Sequence, residues 1–231
     1  MKTYLFIIVA ALVAGGAYWI FMGGKSGGSE VMEESPTPEP KEEFTVPADG
    51  DYLLDSDASS MTWRGRKPLI NGYYDTGSVA LSGGAVTIAD GGVASGSIVV
   101  DMTTIAATDT GRGSADNFRS MLSRHLQSED FFNVEEYPTG EFALTDLVQD
   151  GDGAWTLSGS LTVKGIANPV SFPVRVTNEG GVLSVTAENV ELDRTKWDIR
   201  FGSGSFFENL GDNLIDDIFT VSFTAVFRSA P

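Results

Sequence analysis

The chain has 231 residues, 42% of them hydrophobic, which suits one large β-barrel or one domain with appendages. Its 15 Lys and Arg stand against 32 Asp and Glu, a formal net charge of −17 that repels phosphate backbones and argues against nucleic-acid binding. There is no cysteine, so disulfides, thiolate metal sites, a cysteine nucleophile and a lipid-modified N-terminal cysteine are excluded.

Residues 1–3 form a short tail, and residues 4–22 carry no charge and are long enough to cross a hydrocarbon core as a helix. Tyr4 at one end and Tyr18 and Trp19 at the other suit interfacial anchoring. The alternative is a cleaved signal peptide, with Ala14-Gly15-Gly16 before the cut; against it, the apolar run continues through Trp19, Ile20 and Phe21. Either reading predicts that the rest of the chain lies outside the cytoplasm. Residues 23–50, rich in Gly, Ser, Glu and Pro, bury too little to offset ordering entropy and read as an extended linker.

Residues 51–231 read as one β domain. Phe219, Val221, Phe223, Ala225 and Phe227 alternate with Thr220, Ser222, Thr224 and Val226, and Val170, Phe172, Val174 and Val176 alternate in the same way. Pro173 lacks an amide donor, so its strand is expected at an edge or to carry a bulge. Further strands are expected at 60–64, 78–81, 85–89, 94–101, 140–148, 154–163 and 182–192. Turns are expected at Ser82-Gly83-Gly84, Asp90-Gly91-Gly92, Asp150-Gly151-Asp152-Gly153 and Glu179-Gly180-Gly181. Two stretches depart from this pattern. Residues 114–126 predict a helix with Ser114 as its cap and Phe118, Leu122 and Leu126 on one face, and 209–217 predict a second, shorter one.

His125 is the only histidine. It reads as a structural group at the end of the helix; the catalytic alternative lacks a nucleophile elbow, a second histidine or a cysteine. Asp193-Arg194 reads as an ion pair fixing a strand end, with Trp197 against the Arg stem. The alternative has Arg194 or Arg200 meeting the polar head of a lipid.

The stretch His125-Leu126-Gln127-Ser128-Glu129-Asp130-Phe131-Phe132-Asn133-Val134-Glu135-Glu136-Tyr137-Pro138 is followed, in order, by three further segments. These are Gly159-Ser160-Leu161-Thr162-Val163-Lys164-Gly165, Val170-Ser171-Phe172-Pro173 and Asp193-Arg194-Thr195-Lys196-Trp197-Asp198-Ile199-Arg200. With Trp63-Arg64-Gly65-Arg66 and Gly202-Ser203-Gly204-Ser205-Phe206-Phe207, they resemble the YceI-like family of polyisoprenoid-binding proteins. Tyr73 and Tyr74 stand where relatives often carry a histidine. The resemblance implies an all-β, lipocalin-like, extended antiparallel barrel with an isoprenoid chain threaded through its interior. It implies binding and not catalysis, with no cofactor beyond a bound isoprenoid lipid or quinone. The side chains expected to line the pocket are Phe131, Phe132, Phe142, Leu144, Phe172, Val174, Phe206, Phe219, Val221 and Phe223. The expected partners are that lipid and, through the N-terminal helix, the membrane. An enzyme acting on a lipidic substrate, or a ligand-free scaffold for a partner protein, are the rival readings.

Overall fold

Alternation of apolar and polar residues gives each strand one face to bury. In the computed structural model, which describes residues 46–113, 115–149 and 154–230, nine strands form one antiparallel sheet. They are β1 (Gly50–Leu54), β2 (Ser60–Arg66), β3 (Tyr74–Ala89), β4 (Gly92–Asp109), β5 (Thr139–Gln149), β6 (Trp155–Val163), β7 (Ile166–Glu179), β8 (Val182–Asp193) and β9 (Ile218–Ser229). From β2 to β9 each strand pairs with the next, and β9 pairs back onto β2, closing a barrel. β1 and β2 both pair with β3 and β9, at different heights, and act as two segments of one interrupted stave. Asp55 secures the interruption by accepting from Ala58 N and from Arg228 Nε at 2.6 Å. The result is an eight-stave, lipocalin-like barrel, the size at which the interior holds side chains or one slender ligand.

The sequence expectations need three corrections here. β1 had not been expected as a strand, because only Tyr52 within it is buried. Ser82-Gly83-Gly84 is no turn: β3 runs through it with a register shift against β4, and Gly84 lies too close to the Ser97 carbonyl for a side chain. The helix expected over 209–217 is reduced to one 3-10 turn, Gly211–Asn213. The predicted membrane helix, the linker before residue 46, Ser114 and the Asp150–Gly153 turn lie outside the described residues. No helix among the described residues is long and apolar enough to cross a membrane.

The barrel is not paired along its whole height. β5 pairs with β4 only over Ser97 to Asp101, leaving the rest of β4 without a strand on that side. The helix α1 (Asp116–Gln127) covers this edge with its own polar side chains. Ser123 Oγ accepts from Ala107 N, and Gln127 Nε2 donates to the Thr103 and Ile105 carbonyls. Leu126 is thereby pressed into the end of the barrel.

A second gap opens between β7 and β8, which pair only from Arg175–Thr186 to Glu179–Val182. The β6–β7 ladder runs unbroken through Pro169 and Pro173, so both amide-less nitrogens face the side that β8 has left. β8 itself bends away at a bulge between Ala187 and Val190, where Asn189 adopts φ 53 and its N–H is taken by Ser222 Oγ. The edge or bulge expected at Pro173 is therefore replaced by a local gap: β7 lies inside the sheet and its ladder to β6 carries no bulge, but at that height it pairs on one side only.

Candidate functional site

Strand parity decides what faces the barrel interior. On β3 the inward set is Asp75, Gly77, Val79 and Leu81; on β9 it is Phe219, Val221, Phe223, Ala225 and Phe227. Together with Val100, Met102 and Ile105 of β4, Phe142 and Leu144 of β5 and Phe172 of β7, these residues enclose a lumen of about 230 Å³. A dry apolar cavity of about 150 Å³ already accepts benzene. Two glycines let aromatic rings lie flat against the wall. A Cβ on Gly77 would meet the Trp63 indole, and one on Gly159 would meet the Phe142 ring.

The lumen is apolar along most of its length, and its charged lining residues lie at the α1 end. Leu122, Leu126, Phe131 and Phe132 roof that end. Arg66, Asp75, Arg194 and Asp216 are the ionisable residues that reach the lumen wall among the described residues. Arg66 Nε bonds Asp216 at 2.5 Å. Asp75 accepts from Gly111 N at 3.0 Å, and burial raises its carboxyl above the ordinary range, against hydrogen bonds from Gly111 and Tyr73 that lower it.

Arg194 is buried, and all five of its N–H groups are taken. Nε donates to Asp216 O, Nη1 to Ile199 O and Phe201 O, and Nη2 to Ile215 O and Asp217 Oδ1. It ties the 198–217 loop across the end of β8. Its carboxylate partner is Asp217, not the Asp193 expected from the sequence. Asp193 instead caps the following 3-10 turn, accepting from Thr195 N and Oγ1. Trp197 is buried and donates to Leu161 O. Arg200 pairs with Asp198 and lies over the Phe206 ring, 4.8 Å from its centroid.

Of the side chains expected to line a pocket, Phe131, Phe132, Phe142, Leu144, Phe172, Phe219, Val221 and Phe223 lie on the lumen wall. Val174 is buried beside the lumen without lining it, opposite Trp155 in the ladder. Phe206 is 45% exposed on the surface loop. Trp63 and Asp75 had not been singled out as lumen residues, although the run Asp75-Gly77-Val79-Leu81 carries their parity. Trp63 Nε1 is buried and has no hydrogen-bond partner among the described residues.

His125 sits in the last turn of α1, edge-on to Phe131 and Phe201, with Nε2 3.4 Å from the Asp130 carboxylate. It does not line the lumen. No cluster of His, Cys, Asp and Glu suited to a metal occurs among the described residues.

A closed antiparallel barrel with a long apolar lumen, roofed at one end by a helix, defines a lipocalin-like protein. The family model described as a YceI-like domain matches residues 52–227, and the chain belongs to that family. Curated relatives include a UPF0312 protein of Photorhabdus laumondii, 33% identical over 76 residues, or 33% of this chain and 35% of the relative. Another, from Shewanella denitrificans, is 30% identical over 29% of this chain and 35% of its own length. The chain thus spans about a third of the curated relatives it matches. Among solved structures, BcnA of Burkholderia cenocepacia aligns with a TM-score of 0.57 and 19% identity, over 75% of this chain and 98% of its own. A polyisoprenoid binding domain from Saccharophagus degradans aligns at 0.54 and 14%, over 78% and 98%. At these identities the likeness is one of fold.

Proposed function

We propose that this protein binds a long isoprenoid-type lipid, a polyprenol or a quinone, inside its barrel and outside the cytoplasm, near the membrane to which residues 4–22 tether it. The observation that carries the reading is the lumen: an apolar cavity whose charged lining residues lie at one end. Apolar burial is worth about 0.8 kcal/mol per CH₂, so a polyprenyl chain binds there without charged contacts. Family membership and the resemblance in fold to a polyisoprenoid binding domain support the assignment. The protein acts as a carrier or store and not as an enzyme. The His125 ring faces two phenyl rings and the Asp130 carboxylate, and the nearby Ser128 hydroxyl donates to the His125 carbonyl and not to its ring.

Native mass spectrometry of the chain purified from its source, with extraction of whatever it retains, tests the proposal. The expected result is one isoprenoid lipid per chain. A chain that neither retains nor takes up any lipid, yet is fully folded, contradicts it and favours the scaffold reading.

A further inference from the structure

The lumen does not run the full height of the barrel. Val86, Val185 and Phe227 line its end away from α1. Beyond them the inward side chains are Tyr52, Ile88, Val174, Val176 and Leu183, all buried and none of them on the lumen wall. Tyr52 lies opposite Val86 and Leu183 opposite Phe227 in their ladders, so this layer is the floor of the cavity. The residues before β1 seal it from outside. Tyr52 Oη donates to the Ala48 carbonyl at 3.0 Å, which holds the hydroxyl away from the lumen, and Pro47 is buried beside it in sequence. Asp49 accepts from the Asp90 and Gly91 amides of the β3–β4 turn at 3.3 Å. The lumen is a blind tube.

A blind tube has a depth, and β9 measures it. Phe219 lies opposite Leu192 near the α1 end, and Phe227 stands at the floor. Eight residues of strand between them, at about 3.3 Å each and tilted by roughly 40° to the barrel axis, give a depth of about 20 Å. Three chain bonds of extended backbone span about 3.5 Å, so the four of an extended isoprene unit span roughly 4.5 Å. The depth therefore admits about four units. A volume of about 230 Å³ leaves no room for the chain to double back.

We infer, on the lipid-binding reading above, that the lumen measures its ligand: it encloses a tail of at most about four isoprene units and leaves the remainder of a longer one outside. The floor sets that limit, and Phe227 and Val86 are the specificity-determining residues at its edge. Gly96, opposite Val86 in the β3–β4 ladder, leaves open space beside Val86 into which a larger side chain fits.

The test is a series of isoprenoid alcohols with the same head and two, three, four or six units, competed against a fluorescent isoprenoid analogue on the full lipid-free chain. Affinity should rise about ten-fold or more for each added unit and level off by four. Val86→Phe puts a ring into existing space at the floor, so it should move the plateau down by about one unit and leave Tm unchanged or higher. Phe227→Ala deepens the tube and should move the plateau up by about one unit. If Phe227→Ala does not fold, Val86→Phe alone decides. Affinity still rising at six units, affinity flat from two units on, or a plateau that a folded variant leaves in place overturns this inference alone. Binding of none of the alcohols overturns the lipid-binding reading, and this inference with it.

Discussion

Arg194 is the residue on which the α1 end of the barrel depends. Burial pushes its guanidinium pKa down while Asp217, Asp216 and Asp193 oppose that shift, and arginine stays charged throughout. Replacing it with Met strands four carbonyls and the Asp217 carboxylate in a region with little water. Removing one side of a buried charged network costs about 3–5 kcal/mol, so urea unfolding of Arg194→Met should show a loss of that size. A loss below about 1 kcal/mol would assign the residue to the surface, where pairs are weak. Asp75 works in the opposite direction. Its carboxyl is raised in the folded state, so ionisation of that group disfavours folding. Asp75→Asn keeps an acceptor for Gly111 N and should raise Tm above the folded-state pKa. That advantage should shrink as pH falls towards the ordinary carboxylate value. An advantage that grows as the solution is acidified would contradict the assignment.

At the scale of elements, the gap between β7 and β8 makes a prediction about exchange. Since Pro169 and Pro173 face the gap, strand parity turns the Ala167 and Ser171 amides the same way, while those of Val170, Phe172 and Val174 face β6. Hydrogen exchange should be fast at Ala167 and Ser171 and slow at the other three. Equal protection along the strand would mean that β8 pairs there. Pro173 pointed in the sequence to an edge or a bulge, because a missing donor is a local property, and the fold meets it with a local gap instead. The long strands were legible for a similar reason, since one buried face imposes period two. β1 was not, as its single buried residue shows no period. The Ser82-Gly83-Gly84 segment misled because glycine serves a register shift as readily as a turn. Parity placed six of the seven expected strand residues on the lumen wall but did not show how high each residue sits. Val174 has the right parity and lies outside the lumen, and Phe206 belongs to a loop for which parity says nothing. The partners of Arg194 come from a loop far along the chain, which no local pattern reveals.

For the whole molecule the question is whether the interior is a core or a container. Closing eight staves creates an inner surface in either case, and the YceI-like sequence pattern does not by itself say which. Phe223 is the residue that distinguishes them, being inward on β9, edge-on to Phe172 at 6.0 Å and on the lumen wall. The most direct test is Phe223→Trp, read by a thermal melt of the lipid-free chain together with binding of a fluorescent isoprenoid analogue. If the lumen is a container, the larger ring fills existing space: Tm holds or rises, and binding is lost. If the interior is a solid core, overpacking costs about 1–3 kcal/mol. Tm then falls, and the folded fraction binds the analogue as before, which would contradict lipid binding in the lumen.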